Sequence, residues 1–204
     1  MLTKWYFYNT ELAQLRNNPI HQVCGDSIPI REDGINVSAL MDEIDSETMH
    51  AKYLISALRT WNIKYCPEEQ IANACLGIVS EIVELFYDDK PESELGDLLY
   101  YRIILRYLMG DSLEFESTHS GTLRDAFSNA SMFIADVGKK VAYHDKFLAE
   151  QTRTRYRTGM QAVDTIIVYF LHKLGTPLHE IYNQNIAKLA ARHSNGKFNP
   201  GYTK

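Results

Sequence analysis

Cysteine is scarce, with three residues (Cys24, Cys66 and Cys75) in a chain of 204. The number is odd and no two stand in a CxxC spacing, which argues against a thiolate metal site or a redox dithiol and makes reduced thiols the plain reading. Glycine and proline are also few, at 11 and 6, so the chain is not of the collagenous or low-complexity kind. No unbroken apolar run approaches the ~18 residues of a membrane span. The opening MLTKWYFYNTELAQL lacks the apolar core of a signal peptide. These absences make a cytoplasmic protein without a membrane anchor the expectation. Basic charge is not in excess: the net charge of −5 gives no general attraction to nucleic-acid polymers or anionic membranes. The seven histidines have no HxxxH or HxH spacing, against a zinc site. No Walker-type or GxGxxG loop occurs, against P-loop and Rossmann nucleotide binding.

What is present is a chain with 45% hydrophobic residues, enough for one sizeable core, patterned almost throughout at helical spacing. Residues 1–37 read as an N-terminal extension with little regular structure, because turn residues recur around Asn17-Asn18-Pro19, Gly25 and Asp33-Gly34. Residues 38–198 read as an all-α domain, and 199–204 as a tail. Ser38 is a candidate cap for a helix reaching Asn62, with Asp45-Ser46 as a point where it splits. Pro67-Glu68-Glu69 starts the next helix, with a ring suited to the first turn and acids at the positive end of the dipole. Asp88-Asp89-Lys90-Pro91 ends it. A third helix starts near Pro91 and stops at Gly110. Residues 111–121 read as a polar loop, and further helices are expected over about 122–142, 148–174 and 177–193.

Chemistry concentrates in GIVSEIVELFYDDKPESELGDLLYY, residues 77–101. It holds two acidic pairs, Glu81/Glu84 and Glu94/Asp97, each at i,i+3 spacing in an apolar pattern. Residues three apart share a helix face, so each pair lies beside the residues that bury its helix. A single acidic pair is usually solvated surface. Two pairs flanking one tight turn are more specific, since antiparallel helices would bring all four carboxylates together. Buried carboxylates need a compensating charge, and a divalent cation with oxygen preference fits. Four carboxylates suit two ions, or one ion and a general base.

With these residues in hand, GIVSEIVEL followed by ELGDLLYY resembles the ExxE…ExxD signature of the all-α nucleoside triphosphate pyrophosphohydrolases, the MazG-like family. NIAKLAARHSNGKF (185–198) is similar to the family's closing segment, and Leu58-Arg59-Thr60 to an Arg-Thr pair on its preceding helix. The resemblance covers most of 50–109 and 160–198. The region 111–158 is atypical, either inserted or duplicated. It implies a helical bundle and Mg²⁺-dependent hydrolysis of a (deoxy)nucleoside triphosphate to monophosphate and pyrophosphate, with Mn²⁺ as a substitute ion. It also implies a homo-oligomer, dimer or tetramer. Carried over by position, Glu81, Glu84, Glu94 and Asp97 would be metal ligands, with Glu81 or Glu84 also serving the attacking water. Ser80 stands where the family often has Gly, and the inter-pair stretch lacks its frequent Lys-Lys.

Several residues have two readings each. Tyr101 lies one turn after Asp97 and would pack near a base or in the core. Trp61 and Tyr65, four apart, would stack on a nucleobase or fill core space. Asn185, Lys188 and Arg192 share one face of the last helix, which would approach phosphates or simply complement the helix dipole; Arg59 is a weaker candidate of the same kind. Lys139, Lys140, Arg153, Arg155 and Arg157 make 139–157 basic, most simply as a solvated face. QAVDTIIVYF (161–170) echoes ELGDLLYYRI (94–103), placing Gln161 and Asp164 where Glu94 and Asp97 stand. Coincidence between two apolar helices is the preferred reading. Two other functions remain open: a catalytically silent helical module that binds nucleotide or protein, and a pyrophosphohydrolase for another nucleotide such as phosphoribosyl-ATP. A di-iron bundle wants ExxH pairs, and neither acidic pair has one.

Overall fold

The computed structural model describes residues 49–61, 66–116, 121–144 and 149–193. The expectations for residues 1–37, for the helix start at Ser38, for Tyr65 and for the tail lie outside them. Every regular element among the described residues is an α-helix: α1 (Met49–Thr60), α2 (Pro67–Tyr87), α3 (Pro91–Met109), α4 (Leu123–His144), α5 (Glu150–Leu174) and α6 (Leu178–Arg192).

The helix ends follow local chemistry. Pro67 opens α2, and the Glu69 carboxylate accepts the Cys66 backbone N–H at 3.2 Å. Pro91 opens α3, and Gly110 closes it in the left-handed region (φ 66°) that glycine adopts without steric cost. Gly175 closes α5 in the same way, its N–H reaching Leu171 O at 3.0 Å. Three residues, Asp88 to Lys90, separate α2 from α3, so the two helices return against each other.

α3 is the central element. It packs against α1, α2, α5 and α6, while α2 also meets α4, and α4 meets α5. From Glu94 to Leu108 only Tyr101 is more than marginally exposed. One continuous core takes Ile71, Ile78 and Ile82 from α2, Leu95, Leu98 and Ile103 from α3, Ala130 and Ile134 from α4, and Val163 and Ile167 from α5. Helix α4 and the first half of α5 thus share the core of the paired acidic helices. Close approach depends on glycine at two crossings: a Cβ on Gly138 would lie 2.8 Å from Cys75 Cβ, and one on Gly159 would lie 2.8 Å from Ile134 Cδ1. By length and composition alone α2 is apolar enough to cross a membrane, although polar residues interrupt its apolar ones. Here its apolar face, with Ile71, Ala74, Ile78, Ile82 and Leu85, is buried in the core.

Candidate metal centre

The facing of α2 and α3 brings the acidic pairs together. Carboxylate oxygens of Glu81, Glu84 and Glu94 lie within 4.8 Å of one another. Opposite ligands of a Mg²⁺ octahedron stand about 4.2 Å apart, so this spread suits a common cation with small side-chain adjustments. Glu81 and Glu94 are each only 8% exposed, and Oε2 of each is buried without a hydrogen-bond partner. Glu84 is partly exposed and accepts a hydrogen bond from Ser80 Oγ at 3.1 Å. Ser80, the departure from the family pattern, therefore orients an acid.

Burial, and then the charges of Asp97, Glu84 and Glu94, push the Glu81 carboxyl up to about 8. Desolvation disfavours the charged form, and each neighbouring carboxylate adds repulsion. All the candidate donors are hard oxygens, with no imidazole or thiolate among them, a set that hard cations such as Mg²⁺, Mn²⁺ or Ca²⁺ favour.

Asp97 is held differently from the three glutamates. Its Oδ1 accepts from Asn185 Nδ2 at 2.8 Å, and its Oδ2 accepts from Lys188 Nζ, which also reaches Ser93 Oγ at 2.7 Å. Asn185 is in turn fixed by Tyr53, whose hydroxyl donates to Asn185 Oδ1 at 2.7 Å and lies 3.3 Å from Gly96 O. A Cβ on Gly96 would stand 3.1 Å from Asn185, so the small residue lets α6 come this close. Tyr53 stacks on Tyr182, with centroids 3.8 Å apart and planes inclined by 12°. The Tyr182 hydroxyl contacts His50 Nδ1 at 2.8 Å.

The other candidates divide. Tyr101 is half-buried, its ring seated where a Cβ on Gly77 would fall. Burial, then the charges of Glu81 and Asp97, push its phenol up to about 12, while Arg192 opposes the rise. Tyr101 and Arg192 therefore both sit within electrostatic reach of the acids. Asn185 is buried and engaged with Asp97, so it serves the carboxylate within this chain. Trp61 is a core residue: it is 5% exposed, its indole N–H donates to Gln70 Oε1 at 2.9 Å, and its ring leans on Tyr100. Arg59 is exposed, whereas Thr60 beside it is buried with its hydroxyl 3.4 Å from Tyr100 OH. Lys140 and Arg155 pair with Asp136 at 2.9 and 2.7 Å, which accounts for part of the basic stretch as structure.

Asp164 has a role of its own. It is fully buried and bonded by Arg102 Nε at 2.7 Å, Arg106 Nη2 at 2.7 Å and the Glu116 N–H at 2.9 Å. Arg102 also donates to Leu113 O and Glu114 O, at 2.7 and 2.8 Å, and lies 4.2 Å over the Phe115 ring. Arg106 adds Asp111 Oδ2 and Ser112 O, each at 2.9 Å. Asp164, placed opposite Asp97 in the internal echo, thus anchors the 111–116 strap by ion pairs.

Comparison with protein-family models, with curated proteins and with solved structures finds no match.

Proposed function

We propose that this protein is a Mg²⁺-dependent pyrophosphohydrolase of the MazG-like kind, cleaving a (deoxy)nucleoside triphosphate to the monophosphate and pyrophosphate. The observation that carries the reading is the pair of buried, unpartnered oxygens, Glu81 Oε2 and Glu94 Oε2, inside a three-glutamate set. Carboxylates so placed are costly without a cation. A basic side chain nearby adds what a polyphosphate needs, since Lys188 pairs with Asp97. The resemblance of residues 77–101 and 185–198 to the family supplies the reaction type.

Glu81, Glu84 and Glu94 would hold Mg²⁺, with Asp97 as a fourth ligand, and the ion would supply Lewis-acid stabilisation of phosphate charge. Glu84, partly exposed and hydrogen-bonded by Ser80, would be the glutamate that accepts a proton from water. Lys188 and Arg192 would offset charge on the leaving pyrophosphate. Tyr101, packed on Gly77 and partly exposed near the acids, would be the aromatic that meets the nucleotide. A cytoplasmic homo-oligomer belongs to the same proposal.

A screen for Mg²⁺-dependent pyrophosphate release across nucleoside triphosphates and phosphoribosyl-ATP tests the reading. Turnover of one of them should fall by roughly a thousand-fold in Glu81→Gln with helicity intact. Release with no substrate would favour the silent binding module instead.

A further inference from the structure

We infer that Lys188 is an exchangeable counterion, holding Asp97 until nucleotide arrives and then passing to its phosphates; this rests on the cation site proposed above. The observation is the unequal treatment of the four acids. Glu81, Glu84 and Glu94 converge on one another, and two of their buried oxygens have no partner. Both oxygens of Asp97 are engaged, Oδ1 by the amide of Asn185 and Oδ2 by the ammonium of Lys188. These two bonds differ in kind. Asn185 is neutral and buried, with Tyr53 fixing its other end, so it can stay while a cation is bound. Lys188 carries full charge on a flexible stem and keeps about a quarter of its side chain exposed.

An ammonium on Oδ2 competes directly with a divalent ion for that oxygen and repels it at close range. The quarter of the side chain that reaches solvent gives Lys188 somewhere to go. A polyphosphate at the mouth of the cluster offers the alternative anion. Lys188 then works against cation binding when the nucleotide is absent and for nucleotide binding when it is present. Cation occupancy is thereby tied to substrate.

This predicts effects of opposite sign on two ligands, which a purely structural lysine would not produce. Mn²⁺ titration of the metal-free protein, with free Mn²⁺ followed by electron paramagnetic resonance, gives the first affinity. Lys188→Met should bind Mn²⁺ about ten-fold more tightly than wild type, and Lys188→Arg should not. The same Lys188→Met protein should bind an α,β-methylene nucleoside triphosphate, in the presence of Mg²⁺, about ten-fold more weakly. Ser93→Ala keeps the charge but removes one anchor of Nζ, and should tighten Mn²⁺ binding to a lesser degree even if Lys188→Met folds poorly. Unchanged or weaker Mn²⁺ binding in both Lys188→Met and Ser93→Ala overturns the exchange. Glu81→Gln separates the two levels of the proposal. If it abolishes Mn²⁺ binding while Lys188→Met fails to tighten it, the exchange alone is wrong. If Mn²⁺ binding is absent from wild type or indifferent to Glu81→Gln, the cation site itself falls.

Discussion

α3 carries two buried charge clusters of opposite design. Near its start, Glu94 and Asp97 join Glu81 and Glu84, and the acids outnumber the one lysine that reaches them. Two turns on, Arg102 and Arg106, both fully buried, close on Asp164 from α5, with backbone carbonyls and Asp111 taking up other guanidinium N–H groups. In the second cluster opposite charges meet within the chain, which suits a structural brace, although Arg106 Nε is left without a hydrogen-bond partner. In the first, three glutamates face one another, and the lysine that reaches the group pairs with Asp97. The difference separates a buried acid braced within the chain from buried acids that repel one another. Burial and acidity are common to both, and the distinction lies in the partners.

The largest effect should come from breaking the brace. Asp164→Ala leaves two buried guanidinium groups facing each other, and removing one partner of a buried ion pair costs about 3–5 kcal/mol. Thermal unfolding followed by circular dichroism should show Tm lowered by roughly 6–20 °C for a domain of this size. A change of a degree or two would show that the strap, not the acid, balances the arginines.

The acidic cluster should respond in the opposite direction. Glu81→Gln, assayed without divalent metal at pH 9, removes a buried charge that its neighbours repel, and should stabilise the fold by about 2 kcal/mol. If the variant is less stable than wild type under those conditions, the cluster is an internal brace like the other and its unpartnered oxygens have been misread.

The contrast also measures how far the chain can be read without its fold. Helix boundaries at Pro67, Pro91, Gly110 and Gly175 were legible because caps and breakers act on their immediate neighbours. The acidic pairs were legible because i,i+3 spacing is local, and one three-residue turn then suffices to bring them together. Arg102 and Asp164 lie 62 residues apart and Tyr53 and Asn185 lie 132 apart. Nothing in their local pattern announces a partner. Arginine on a helix is ordinarily solvated, and a tyrosine among apolar residues ordinarily just fills core space. Trp61 shows the reverse case: an aromatic that suggested a base-stacking platform is held in the core through Gln70. The echo sets Asp164 at the position of Asp97 and carries no trace of the two guanidinium groups that define it.

The pH dependence sharpens the same comparison at smaller amplitude. Folded, Glu81 holds its proton up to about 8, against an ordinary value of 4.5. Between those limits the folded state binds more protons than the unfolded state, so stability falls as pH rises through the window and levels off above it. Metal-free wild type should lose several degrees of Tm between pH 5 and pH 9 relative to Glu81→Gln. Millimolar Mg²⁺ should flatten the difference, because cation binding favours the ionised carboxylate. A slope shared equally by the two proteins would place the titration elsewhere.

The smallest effect tests the link from α1 to the acids. Tyr53 touches none of the carboxylates, yet its hydroxyl holds Asn185, and Asn185 holds Asp97. Tyr53→Phe keeps the ring stacked on Tyr182 and deletes only that donor, freeing the amide to rotate. Groups that orient a ligand commonly govern metal affinity by about ten-fold or more, whereas a single neutral hydrogen bond contributes only about 1 kcal/mol to folding. Mn²⁺ affinity should therefore weaken about ten-fold while Tm moves by no more than roughly 2–4 °C. If Tyr53→Phe lowers Tm without changing Mn²⁺ affinity, the tyrosine supports the packing of α1 on α6 and Asp97 is positioned without it.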